Sequence, residues 1–147
     1  MKFVIIRRAS TDILDGVNTF IFELSEALIN RGHEVTTVTY HAKHSREEIC
    51  KLFDLNKVPE VVTLSTKEFR GTLVYYIAWL IKGSKIINDI KPDLVLINGV
   101  VLLYLKTKAV IVCHGLFKGK WYHEMIARRL YRMFPLVCVK KVKARSH

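Results

Sequence analysis

Apolar residues along this chain follow two alternating periods, and the alternation sketches a fold. Phe3-Val4-Ile5-Ile6, within Lys2–Arg8, is a short run rich in β-branched residues; it predicts a strand buried on both faces, followed by a polar loop over Ser10–Gly16. From Val17 the apolar positions Phe20, Ile21, Leu24, Ala27 and Leu28 recur at helical spacing, and Asn30-Arg31-Gly32 supplies a glycine where a left-handed cap is wanted. Glu34–Tyr40 then reads as a strand. The pattern repeats with a short helix over Arg46–Asp54 capped by Ser45, a strand at Val61–Leu64, and a long helix over Lys67–Ile90 that Gly83 is expected to kink. Lys91-Pro92-Asp93 breaks that helix and launches a strand over Leu94–Asn98. A short helix over Gly99–Tyr104, a strand over Ala109–Cys113, a helix over Lys120–Phe134 and a last strand over Leu136–Val142 complete the series. Strands that are nearly continuous in apolar residues and alternate with helices predict an α/β fold: a parallel sheet covered by helices on both faces, joined by right-handed crossovers. No internal repeat or low-complexity linker marks a boundary, so residues 1–147 are read as a single domain.

Sheets of this kind bind ligands beyond the carboxyl ends of their strands. Four loops are thereby singled out: Ala9–Gly16, His41–Ser45, Asn98-Gly99 and His114–Gly119. The first enters a helix N-terminus, where free backbone amides can receive a phosphate or a sugar hydroxyl. It carries neither GxGxxG nor GxxxxGK[ST], so nucleotide binding by this loop has no motif behind it, and simple turn chemistry explains one glycine as well. His114-Gly115 follows a predicted core strand, where the imidazole can donate a hydrogen bond or accept a proton near neutral pH. A loop histidine satisfied by backbone carbonyls is the plain alternative. His41 and His44 also lie near a strand end, but the sequence shows no carboxylate or cysteine partner at ligand spacing, so they read as solvated and no metal site is expected. No nucleophile and base form a recognisable catalytic signature, and no aspartate follows Val61–Leu64 where a phosphoacceptor would need one.

Composition sharpens this in two ways. Half of the 147 residues are apolar, which excludes a disordered chain. The longest apolar runs, Leu73–Ile81 and Leu94–Leu105, fall well short of the roughly 20 residues of a spanning helix. The N-terminus lacks the roughly 7–15-residue apolar region of a signal peptide. Three widely spaced cysteines, Cys50, Cys113 and Cys138, form no redox pair or disulfide framework. A cytoplasmic chain in a reducing interior is the expectation. The net charge of +11 is unevenly placed: residues 1–98 hold 13 basic and 12 acidic side chains, residues 99–147 hold 11 basic and one acidic. This localises the basic surface to the last third, facing an anionic ligand, membrane or partner. Within Lys118–Phe134, Tyr122, Ile126, Leu130 and Met133 can form an apolar stripe beside five basic residues, and four more follow in Lys140–Arg145. An interfacial helix has this composition, and so does a helix packed on its own sheet with a solvated basic face. Single-stranded nucleic acid ranks below both, since no nucleic-acid-binding motif accompanies the aromatics.

Three segments in order carry a family resemblance. Asp15-Gly16-Val17-Asn18-Thr19 with Phe22–Thr36, whose end reads Arg31-Gly32-His33-Glu34-Val35, resembles a glycine loop, first helix and turn into the second strand. Lys91-Pro92-Asp93-Leu94-Val95-Leu96 and Val110-Ile111-Val112-Cys113-His114-Gly115 complete the set. Together they are similar to the N-terminal, acceptor-side domain of family-four glycosyltransferases, retaining enzymes of the GT-B fold built from two Rossmann-like domains. The chain departs from the pattern at Asp15, where a first glycine is frequent, at Asn98, where a histidine is common, and at Lys140, near a common serine. The resemblance implies sugar transfer from a nucleotide-sugar donor to a sugar or lipid-linked acceptor, with no covalently bound cofactor and no metal. It places Gly16 beside the cleft and His114 near the reacting sugar as the catalytic candidate, with Asp15, Asn18 and Gly115 as binding residues. The donor-binding C-terminal domain of such enzymes is absent from residues 1–147, so a donor-binding domain or subunit is the expected partner and the chain alone is expected to be inactive. The other expectation is a noncatalytic binding or scaffold domain, its basic third docked on a protein partner or peripherally on the anionic inner face of a membrane.

Overall fold

The structure, a computed structural model, describes residues 1–67, 73–99, 101–113, 125, 126, 128, 129, 132 and 136–138. Its strands are β1 (Lys2–Ser10), β2 (Glu34–His41), β3 (Glu60–Thr63), β4 (Leu94–Asn98), β5 (Ala109–Cys113) and β6 (Leu136–Cys138). Its helices are α1 (Gly16–Asn30), α2 (Arg46–Phe53), α3 (Leu73–Ala78) and α4 (Ser84–Ile90), the last two joined by a π-helical turn, Trp79–Gly83. All neighbouring strands pair in parallel, in the order β3-β2-β1-β4-β5-β6. The α/β, Rossmann-like parallel sheet expected from the sequence is therefore present, with its order switching at β1 and β4.

Alternation along β1 builds the two sides of the core. Phe3 and Ile5 pack with Ile21 of α1 and Val35 on one face. Val4 and Ile6 pack on the other face with Tyr76, Trp79, Ile87 and the β4 residues Val95 and Ile97. Phe22, on a different side of α1, reaches Ile49 and Phe53 of α2, so a single helix ties the sheet to its neighbour. β1 and β2 stay in register from Lys2↔Glu34 to Arg7↔Thr39; the next pair is Ser10↔His41, which leaves one extra residue on β1, a bulge just before its end.

Two expectations need correction. Residues 101–104 form no helix. Val101 and Leu103 are buried while Tyr104 is exposed, a period of two, and this backbone is held by α4 instead of by itself. The Tyr104 amide donates to Ser84 Oγ at 2.8 Å, Asn88 Nδ2 donates to the Tyr104 carbonyl at 2.9 Å, and the Lys106 amide donates to Asn88 Oδ1 at 3.0 Å. Lys67, expected to open the long helix, lies outside it; the described helix starts at Leu73. Positions 125, 126, 128, 129 and 132 are helical, within the helix expected over Lys120–Phe134. The rest of that segment, and residues 139–142 of the expected last strand, lie outside the described residues.

Gly83 marks the irregularity foreseen in the long helix, and packing explains it. A Cβ built there would stand 2.7 Å from Cε3 of Trp79, a ring with no exposed surface in the core under the sheet. The wider π-helical turn and the bare glycine together make room for the indole. Gly83→Ala should therefore lower stability by about 1–3 kcal/mol through overpacking, although alanine in a regular helix gains about 1 kcal/mol over glycine. Urea unfolding followed by circular dichroism checks this; an unchanged or raised midpoint would show that the indole can move aside.

Candidate functional site

β1 ends in the middle of the sheet, and the loop after it is built from its own polar side chains. Asp15 caps α1: its carboxylate accepts the Asn18 amide at 2.7 Å and the Arg7 guanidinium at 2.9 Å. Asn18 is fully buried, and its Nδ2 donates to the Ser10 carbonyl at 3.0 Å and the Ile13 carbonyl at 2.7 Å. Its Oδ1 is buried with no hydrogen-bond partner among the described residues. Thr19 Oγ1 donates to the Asp15 carbonyl at 2.8 Å. Asp15 and Asn18 thus fix the loop from inside, whereas Gly16 opens α1 with no described heavy atom within 4 Å of where a Cβ would stand. A ligand approaching this loop meets backbone at Gly16.

On the far side of β1, Asn98 ends β4 opposite Arg7 in the parallel register and is buried. Gly99 follows with φ +103°, and a Cβ on it would stand 3.0 Å from Cβ of Arg8. Its conformation and the close approach both call for glycine. The loops after β1 and β4 therefore flank the crevice where the strand order reverses, the position at which open α/β sheets take their ligands. His114 and Gly115, which follow β5, lie outside the described residues.

One polar constellation was not read from the sequence. Asp12 receives the backbone amides of Lys43 at 2.8 and 2.9 Å and of His44 at 3.0 Å, together with Nδ1 of His44 at 2.9 Å. The Ser10 hydroxyl donates to it at 3.1 Å and accepts the Asp12 amide at the same distance. Burial alone pushes the Asp12 carboxyl up. The donors from Lys43, His44 and Ser10 outweigh that and hold it below its ordinary value of 3.8. The expectation that His44 has no carboxylate partner is thus wrong, because 32 residues of sequence separate two loops that the pairing of β1 with β2 brings together. His41 is likewise not solvated: it is buried, with Nδ1 3.3 Å from the Ser65 carbonyl. The usable signal was the parallel pairing itself, which sets the ends of neighbouring strands side by side.

Among the described residues no three His, Cys, Asp or Glu side chains stand together as metal ligands, and no helix is long and apolar enough to cross a membrane.

Comparison with known proteins adds two findings. The family model described as Glycosyltransferase Family 4 matches residues 14–144. Among solved structures, the chain is similar to a UDP-GlcNAc 2-epimerase from Methanocaldococcus jannaschii, with a TM-score of 0.51 and 17% sequence identity, over 96% of this chain and 40% of that one. At that identity the likeness is one of fold, and this chain spans less than half of the epimerase. A search of curated proteins finds no match.

Asp12 gives the site a pH signature. Because its folded value lies below 3.8, its contribution is fully present above that unfolded value and fades as pH falls through the lower folded one. Asp12→Asn keeps the shape but removes the charge and one acceptor. It should cost about 1–3 kcal/mol at pH 7, with the gap to the parent closing in strong acid. Urea midpoints of both proteins at neutral and acidic pH check this, and a gap that does not change with pH would contradict it.

Proposed function

The chain belongs to glycosyltransferase family 4, and we propose that it forms the acceptor-side half of such an enzyme, working with a donor-binding domain or subunit. The observation that carries this reading is the first loop: a turn at the carboxyl edge whose polar side chains Asp15 and Asn18 are committed to its own backbone, whose Gly16 backbone stands open, and whose Ile13 and Leu14 are exposed beside it. A sugar or lipid-linked acceptor would lie against that backbone, in the crevice between the ends of β1 and β4. The acceptor hydroxyl would bond to the anomeric carbon of the donor sugar as the bond from that carbon to the nucleoside diphosphate breaks, with retained configuration as the family resemblance implies. Asp15 and Asn18 hold the loop, Gly16 leaves room, and His114 with Gly115 after β5 would stand near the transferred sugar. A nucleotide sugar as co-substrate is supported by the fold shared with the UDP-GlcNAc 2-epimerase.

A second reading, peripheral binding to an anionic membrane, is favoured by one surface. A groove of about 840 Å³ is lined by Leu80, Tyr104, Met125 and the guanidinium-bearing Arg128, Arg129 and Arg132. The helix that contributes Leu80 to this groove exposes Leu73, Val74, Ile77 and Ile81 along α3 and the π-helical turn. Aliphatic side chains flanked by arginines suit the boundary of acyl chains and anionic headgroups. The two readings are compatible, since a lipid-linked acceptor is met at a membrane.

Two measurements test them. The purified 147-residue chain should show no sugar transfer and only weak binding of nucleotide sugars, with transfer appearing when a donor-binding half is supplied; robust turnover by the chain alone would refute its role as a half. Co-sedimentation should bring the chain down with vesicles containing phosphatidylglycerol but not with phosphatidylcholine alone. Binding should weaken as salt rises and disappear when Arg128, Arg129 and Arg132 are all changed to Glu. Absence of binding to the anionic vesicles at low salt removes the membrane reading.

A further inference from the structure

His44 is oriented by the first loop, yet no role has been assigned to it. A carboxylate only accepts, so the 2.9 Å contact with Asp12 Oδ1 places the proton of the neutral imidazole on Nδ1 and leaves Nε2 as a bare acceptor. The same carboxylate holds the backbone amides of Lys43 and His44, so both the ring and its attachment point are fixed. The side chain is about one-third exposed, and Nε2 has no hydrogen-bond partner among the described residues. Two further polar atoms at this end of β1 and β2, Oγ1 of Thr11 and Nε2 of His41, are buried without hydrogen-bond partners among the described residues. Leaving such an atom unsatisfied costs about 1–3 kcal/mol unless water or a ligand completes it. The carboxyl edge of β1 and β2 therefore holds polar capacity that the described protein does not use.

The charges nearby select the ligand. Asp12 lies behind the ring, Glu47 and Glu48 occupy the first turn of α2, and the N-cap of that helix is already closed by Ser45 and Glu48, with the Ser45 amide donating to the Glu48 carboxylate at 2.6 Å. Of the basic neighbours Lys43 and Arg46, the Arg46 guanidinium is directed to the Val58 carbonyl at 3.0 Å. Asp12, Glu47 and Glu48 outnumber Lys43 and Arg46 in this stretch, which disfavours an anion; a neutral hydroxyl that donates to Nε2 meets no such opposition. We propose that His44, with Asp12 as its positioning residue, is a hydroxyl-binding contact for a sugar at the carboxyl edge, lying outside the Asp15–Asn18 loop. The inference rests on the acceptor-side reading and deepens it by naming a specificity contact that the family resemblance does not supply.

Nuclear magnetic resonance of the full chain, with ¹⁵N-labelled histidine and backbone, tests it. His44 is expected in the Nδ1–H tautomer, and Asp12→Ala, which removes the acceptor facing Nδ1, should lose the preference for that tautomer. Titration with the methyl glycosides of glucose, galactose and mannose should move the Nε2 resonance of His44 for at least one of them. His44→Phe, a change at a partly exposed side chain that leaves no acceptor, should weaken that glycoside about tenfold, the equivalent of one lost hydrogen bond. An Nε2–H tautomer in the parent overturns the proposal. So does a saturable response at Asp15–Asn18 with Nε2 unmoved, which would leave the acceptor-side reading standing. If no glycoside moves any amide at the carboxyl edge, that reading and the role of His44 fall together.

Discussion

The end of β1 carries one residue more than the strand beside it, and the polar architecture at the carboxyl edge follows from that bulge. β1 is buried on both faces and paired on both edges, so its path cannot bend freely; the register slips only between Arg7 and Ser10. Bulges of this kind re-aim side chains at the rim of a sheet. Here Arg7 turns to Asp15 while Ser10 and the residues after it turn toward β2. Without the extra residue, Ser10 would fall on the other face of the strand, and the loop would have to find its hydrogen bonds elsewhere.

Two aspartates divide the work that follows. Asp15 faces inward along the chain, capping α1 and taking the guanidinium of a β1 residue. Asp12 faces sideways and gathers the loop after β2. A loop of about five residues that was held only by its ends would lose conformational entropy on binding a ligand. This one has met that cost in folding, through backbone donors and acceptors that its own carboxylates and the Asn18 amide satisfy. The open Gly16 face is consequently a fixed surface.

How much of this the sequence revealed depends on the range of the interaction. The strand and helix periods near Phe3–Ile6 and Phe20–Leu28 are local, and they read correctly. Gly83 was visible as a disturbance, but the reason for it, the Trp79 ring one turn earlier, required the helix to be wound at its actual pitch. Residues 101–104 misled because their hydrogen-bond partners, Ser84 and Asn88, sit on a helix 16–20 residues earlier; an apolar stretch after a glycine looks helical when that partner is unknown. The Asp15-Gly16-Val17-Asn18 segment was found by resemblance, since its cap and turn lie within a few residues. The Asp12–His44 pair was not, since no local pattern joins residues 32 apart, and only the order of the strands makes them neighbours.

The long helix raises a different question, because it is apolar on more faces than the sheet can cover. Tyr75, Tyr76 and Trp79 fill the side toward the core, yet Leu73, Val74, Ile77 and Ile81 stand outward at 45–67% exposure. A helix that is hydrophobic all round belongs in an interior, so the outer face calls for a cover. The charge supports one kind. Residues 1–98 are nearly balanced, and the excess of the last third includes Arg128, Arg129 and Arg132, which line the groove that Leu80 borders. A purely apolar protein partner would gain nothing from those guanidinium groups and would have to desolvate them. A surface that offers hydrocarbon and anionic groups together would satisfy both sets at once, which is the physical ground of the membrane reading proposed above.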